Sequence, residues 1–340
     1  MAILLSALLL LPTALLGAEK PLRIYGSGAT LPAPLYLSWL HSFNRQHPEI
    51  EPDYQGISST GGIKDLIAGR VDFAGADYQI ASEKAARIPG GIVQLPIAAA
   101  AIALVYNLPG VKDLTLSRKA VLGIFNGTIT RWDDPLIVEA NPGTNLPDQE
   151  ITLVARASAS GTSYNLSRHL SAIGPKFKEA VGSSLTPNWP ELIKQRGRLL
   201  RGSGNDGVAT LVKSIPGTIG YVAYPYSHIT GIPTAAVENK AGEIVAPDAQ
   251  SFASAMKTIG NLPEPANLVD PPGEGSYPMI ALSWLLVPKV YEDEAKQQAM
   301  IEILEYAVSP ASQDIAERIG YIPLSPAAIE LVRRGIETLK

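Results

Sequence analysis

At 340 residues the chain is long enough for two domains, each with its own core. An apolar fraction of 46% with 18% charged residues describes a folded globular protein rather than a disordered one. The net charge of −4 argues against a nucleic-acid partner, which needs a basic face, and the lack of cysteine excludes disulfides, thiolate metal sites and cysteine nucleophiles.

Ala2 to Leu16 is nearly all apolar and ends in Leu16-Gly17-Ala18 before the charged Glu19-Lys20. That is the length of a signal-peptide core with a small residue at the cut, and too short for a membrane span. The expectation is a signal peptide over residues 1–18, cleaved after Ala18, and an exported product. With no cysteine near the cut, a lipid anchor is not expected. His41, His47, His169 and His228 show no pair at metal-ligand spacing and read as surface or packing residues, so no metal and no cofactor is expected.

Leu22 to Gly26 reads as a strand and Ser27 to Thr30 as a tight turn. Pro32 then suits the first turn of a helix. Tyr36, Trp39, Leu40 and Phe43 recur at helix spacing and give it one buried face. The pattern repeats at once. Asp53 to Ile57 leads through Ser58-Ser59-Thr60-Gly61-Gly62 into a helix over Ile63 to Ala68. The next strand, Val71 to Ala76, ends at Asp77, which either caps the following turn or reaches into a cleft.

The run Ile92 to Leu108 is unusually apolar and β-compatible, suited to a strand passing between two domains. Ala120 to Phe125 is helical. Ile151 to Ala155 reads as a buried strand ending at Arg156, and Leu166, Leu170 and Ile173 place a helix over Tyr164 to Ile173. Between them lies Arg156-Ala157-Ser158-Ala159-Ser160-Gly161-Thr162-Ser163. A helix start offers unpaired N–H groups and a positive dipole end, and arginine adds a planar fork of donors. The stretch is an anion site, or a serine cap beside a surface arginine.

Gly202 to Gly207 precedes a helix over Val208 to Lys213 but matches no nucleotide-binding pattern, and reads as a packing turn. Thr218 to Val222 and Ala281 to Val287 are further strands, the latter returning to the first domain. Helices over Glu292 to Ala307 and Pro326 to Leu339 close the chain. Strands alternating with helices predict α/β domains with largely parallel sheets, which bind ligands at strand carboxyl ends beside helix starts. The loops at Thr30, Ser59, Asp77 and Arg156 all obey that rule. A ligand held between two lobes accounts for all of them.

The segments Gly26 to Pro34, Tyr54 to Gly62, Val71 to Asp77, Asn141-Pro142-Gly143, Arg156 to Thr162, Gly204 to Val208 and Ile219 to Val222, in this order, resemble the PstS family. These are the periplasmic phosphate-binding proteins of the phosphate ABC transporter. The resemblance implies a type II periplasmic-binding fold. It places residues 19–105 plus 278–340 in lobe one and residues 106–277 in lobe two. It also implies phosphate contacts from Thr30, the Leu31 N–H, Ser59, Asp77, Arg156, Ser160, the Gly161 N–H and Thr162. The implied protein is a non-catalytic, monomeric, periplasmic binding subunit that hands inorganic phosphate to the inner-membrane permease.

Two positions depart from the family pattern. Leu31 stands where an aromatic residue is usual, and a backbone contact tolerates it. Ser158 stands where an aspartate commonly orients the arginine, so the phosphate itself or another acid is the expected partner of Arg156. Asp77 has a chemical rationale of its own. Phosphate near neutral pH keeps a proton and sulfate does not, so an ionised carboxylate can accept a hydrogen bond from phosphate alone. Molybdate, tungstate or sulfate would face two opposed acceptors in a dry cleft. A phosphatase or serine hydrolase would need an activated nucleophile, and no G-x-S-x-G is present. Reuse of the fold in signalling is the remaining rival.

Overall fold

The computed structural model describes residues 20–259 and 268–339, so the expected signal peptide lies outside the described residues. In chain order the strands are β1 (Leu22–Gly28), β2 (Ile50–Gly56), β3 (Phe73–Ala76), β4 (Ile92–Asn107), β5 (Thr115–Leu116) and β6 (Thr152–Arg156). They continue with β7 (Leu199–Gly202), β8 (Thr218–Ala223), β9 (Ala236–Glu238), β10 (Ile244–Val245) and β11 (Ile280–Pro288). Eight of them form one sheet in the order β2-β1-β3-β11-β4-β8-β6-β7, and β10-β9-β5 form a small second sheet.

Both ends of the large sheet are parallel. β1 lies between β2 and β3, and β6 lies between β8 and β7, all in parallel register. The middle is antiparallel, where β11 joins β3 to β4 and β4 joins β8. β4 is the common member. From Ile92 to Ala101 it pairs with β11, and from Ile102 to Asn107 with β8. Leu95 to Tyr106 is buried along its whole length, which explains why the sequence there shows no polar alternation.

Most of the parallel strands feed a helix that packs back on the sheet, as after β1, β2, β6 and β7. Helix Ala33–Gln46 buries Tyr36, Trp39, Leu40 and Phe43, the face expected from the spacing. Trp39 also donates its indole N–H to the Ser312 carbonyl at 2.8 Å, tying this helix to the C-terminal region. That region holds three helices rather than the two expected: Glu294–Ala307, Pro310–Arg318 and Pro326–Glu337. The additional one starts at Ser309-Pro310, with Ser309 accepting from the Ser312 N–H and proline at the first position. The local signal was there, but the short polar segment carries little periodicity.

Helix starts also differ from expectation. Helix Ser59–Ile67 begins at Ser59, with Ser58 as its cap accepting from the Gly61 N–H. Helix Gly161–Ile173 begins three residues ahead of the expected Tyr164. Helix Gly204–Ser214 begins inside the glycine-rich stretch that read as a packing turn. Apolar periodicity locates the buried middle of a helix. The first turn, built of small polar residues, is set by capping instead.

Candidate functional site

The site lies where β1, β2, β3 and β6 end. Thr30 and Leu31 follow β1, Ser59 opens the helix after β2, Asp77 follows β3, and Arg156 is the last residue of β6. Ser160 caps the next helix, and Gly161 and Thr162 form its first turn. All are buried, with Thr30, Asp77 and Arg156 the most exposed at 4%. Residues from opposite ends of the large sheet meet here. Gly161 touches the Asp77 side chain, and Asn165 Nδ2 donates to the Asp77 carbonyl at 3.2 Å. Leu31 enters through its backbone, its carbonyl accepting from the Tyr321 hydroxyl at 2.6 Å.

A hydroxyl has two lone pairs and one hydrogen, so what it accepts decides what it can still give. Ser160 Oγ accepts from Arg156 Nη1 at 2.6 Å and from the Ser163 N–H at 3.2 Å. Ser59 Oγ accepts from the Asp77 N–H at 3.2 Å. Thr30 Oγ1 accepts from the Asn205 N–H at 3.3 Å and from Asn205 Nδ2 at 2.9 Å. Thr162 Oγ1 accepts from the same Nδ2 at 3.3 Å. Protein donors thus occupy lone pairs on all four hydroxyls, leaving the hydrogens of Thr30, Ser59 and Ser160 for another acceptor, while that of Thr162 also has Asn205 Oδ1 within 3.4 Å. The N–H groups of Gly161 and Thr162 add to the donors, having no acceptor inside their helix.

Arg156 supplies the cation. Its Nε and Nη2 are buried with no hydrogen-bond partner, and only Nη1 is engaged by the protein. Burial pushes the guanidinium below its ordinary pKa, against the opposing pull of Tyr221, Asp77, Tyr226 and Asp206. Arginine nonetheless stays protonated, and a buried charge with unmet donors costs several kcal/mol, on the order seen when one partner of an ion pair is removed. An oxyanion with oxygens to spare is the ligand chemistry that relieves this.

Ser158 is exposed. Asp77 and Asp206 are the carboxylates whose fields Arg156 feels. Asp77 is the site's acceptor. Burial raises its carboxyl from 3.8 to about 7, against the opposing effects of a Ser283 hydrogen bond and Arg156. Ser283 Oγ donates to Asp77 Oδ1 at 3.0 Å.

Residues 17–310 match the model of the PBP superfamily domain. Phosphate-binding protein PstS of Xylella fastidiosa (strain Temecula1 / ATCC 700964) is 32% identical over 318 residues, spanning 92% of this chain and 84% of that protein. Its namesake in Haemophilus influenzae is 32% identical over 320 residues, covering 93% of this chain and 92% of that protein. The chain belongs to the PstS family. Among solved structures, a high-affinity periplasmic phosphate-binding protein bound with phosphate, PfluDING, shares the fold with a TM-score of 0.74. It is 20% identical, and the match covers 92% of this chain and 93% of that one. A phosphate-binding protein from Stenotrophomonas maltophilia, 22% identical, aligns with a TM-score of 0.70 over 92% of this chain and 93% of its own.

Within this candidate site, three residues escaped sequence reasoning. Asn205 bonds both Thr30 and Thr162, so the stretch read as a packing turn reaches the site itself. It sits at a strand end and a helix start, as the other loops do, but β7 is not among the strands read from the sequence, so the rule does not reach it. Ser283 is a lone hydroxyl in the apolar run of β11 and fully buried, a signal that points to a polar partner. The Tyr221 hydroxyl accepts from the Arg156 N–H at 3.2 Å and pairs with Ser163 Oγ at 2.7 Å. No sequence pattern foretells that contact.

Proposed function

We propose that this chain is the substrate-binding subunit of an ABC transporter, capturing inorganic phosphate between its lobes and delivering it to the inner-membrane permease. The observation that carries this reading is the buried Arg156, with two unpartnered nitrogens beside four donor-ready hydroxyls and one carboxylate. Thr30, the Leu31 N–H, Ser59, Asp77, Arg156, Ser160, the Gly161 N–H and Thr162 form the phosphate set. The donors neutralise and hold the anion, and Asp77 accepts the proton that phosphate keeps and sulfate lacks.

Binding rather than catalysis is favoured by what Ser160 touches. Its oxygen is bonded to Arg156 and a backbone N–H, not to a general base. His169, a buried histidine, is lowered to about 4 by burial; the charged groups it feels are Asp270 and Arg118. A serine hydrolase needs a base in reach of its nucleophile.

Residues 19–105 with 278–340 form one lobe in this reading and residues 106–277 the other. The change of β4 partner between Ala101 and Ile102 supports a hinge there. Closure removes water, which strengthens each charge-assisted bond, and micromolar binding requires about 8 kcal/mol net. The protein works as a periplasmic monomer, and no described helix is long and apolar enough to cross a membrane. Titration calorimetry of residues 19–340 with phosphate and sulfate tests the assignment. Tight phosphate binding with weak sulfate binding is expected, and equal affinity for the two anions overturns the role of Asp77.

A further inference from the structure

We infer that Asn205 is the positioning residue that sets the hydrogen-bond polarity of the anion site, holding Thr30 and Thr162 as donors from opposite sides of the cleft. The inference rests on the phosphate reading above. Thr30 follows β1, and Thr162 lies in the helix after β6. Asn205 belongs to a third segment, the helix start after β7, and is fully buried between them.

The orientation of its amide follows from one contact. The backbone N–H of Ala223 can only donate, and it lies 3.0 Å from one end of the amide, so that end is Oδ1. The NH2 end therefore faces the threonines, at 2.9 Å from Thr30 Oγ1 and 3.3 Å from Thr162 Oγ1. The Asn205 backbone N–H adds a second donor to Thr30 at 3.3 Å. Thr30 Oγ1 then has both lone pairs filled, and its hydrogen has to go elsewhere. For Thr162 the alternative is donation to Asn205 Oδ1 at 3.4 Å, which leaves that hydrogen shared until an anion oxygen draws it away, whereas the 3.3 Å contact from Nδ2 occupies a lone pair.

The consequence is selectivity by polarity. A free hydroxyl can turn to accept as easily as to donate, and would then serve water or a protonated ligand edge equally well. With Asn205 in place Thr30 is fixed as a donor and Thr162 is biased toward donating, Asp77 is the site's acceptor, and one OH on an otherwise unprotonated oxyanion is matched. Because one NH2 group serves residues from both ends of the large sheet, the same amide favours the arrangement in which the two sides are close.

Calorimetry of phosphate binding in a mutant cycle tests this. Asn205→Ala is measured alone and in a Thr30→Val/Thr162→Val background, with thermal melts to confirm folding. If Asn205 acts through the two hydroxyls, its loss weakens binding tenfold or more alone and less than about twofold in the valine background. Equal losses in both backgrounds, or binding within twofold of wild type, overturn the inference while leaving the phosphate reading intact. Should Asn205→Ala not fold, Asn205→Asp keeps the side-chain shape. Its added charge acts in both backgrounds and cancels in the cycle, so a loss that shrinks at least tenfold in the valine background supports the role and an unchanged loss removes it. Failure of wild-type protein to bind phosphate at all overturns both readings.

Discussion

Gly161 approaches Asp77 so closely that a Cβ on the glycine would stand 2.2 Å from the Asp77 Cβ and 2.5 Å from Oδ2. The two residues come from different strand-end loops, one after β3 and one after β6. Glycine is required here by proximity, since its own backbone is helical. The helix N-terminus and the carboxylate can share the site only because no side chain separates them.

Gly161→Ala should therefore act on closure rather than on folding. A methyl group can be relieved by holding the two loops apart, at a cost to the bound form of about 1–3 kcal/mol, as for other overpacked sites. Phosphate affinity in calorimetry is expected to fall by about five- to 150-fold. The melting temperature without phosphate is expected to stay within a few degrees of wild type.

Asp77→Asn replaces the acceptor with an amide that can donate. Sulfate then gains a partner where it had met a like charge, while phosphate loses the acceptor for its proton. Anion competition is expected to show selectivity dropping by at least tenfold, in line with about 1.5–3 kcal/mol for a hydrogen bond to a charged group. Ser283→Ala, which leaves the carboxylate but removes its 3.0 Å donor, should weaken selectivity less.

Asp77 also predicts a pH dependence. The unfolded chain holds this proton up to pH near 3.8, and the folded protein up to about 7. The folded state thus binds the proton more tightly, so the stability from this group is full below 3.8 and is lost as pH rises through 7. In melts without anion, wild type should gain on Asp77→Asn as pH falls from about 8 to 5. Sulfate binding should strengthen over the same interval, because a protonated Asp77 donates where the carboxylate repels. A flat pH response of sulfate affinity would contradict this role.

Arg156→Ala should separate stability from binding. It deletes a buried cation with two unpartnered nitrogens, so the melting temperature without anion is expected to hold or rise. Affinity for phosphate and sulfate should both fall by about 3 kcal/mol or more, the loss of at least one strong charge-assisted contact. Arg156→Lys should recover only part of that, since a single ammonium cannot replace the planar fork.

The alternation of strand and helix, the class of fold, and the loops at Thr30, Ser59, Asp77 and Arg156 as a set were legible in the order of residues alone. Those features are local. Apolar period marks strands and helix faces, and small polar residues mark the helix starts between them. The family resemblance, carried by the same short segments, pointed to phosphate as the expected ligand. What sequence reasoning left out depends on contacts through space. Nothing within a few residues of Asn205 says that its amide joins Thr30 to Thr162, or that Ser283, more than 200 positions from Asp77, donates to its carboxylate. The order of the large sheet brings these residues together, because β11 inserts between β3 and β4 and β4 carries both halves. Whether Arg156 is neutralised is likewise a question of distance in three dimensions. Only the tertiary structure shows a guanidinium with two nitrogens still unpaired.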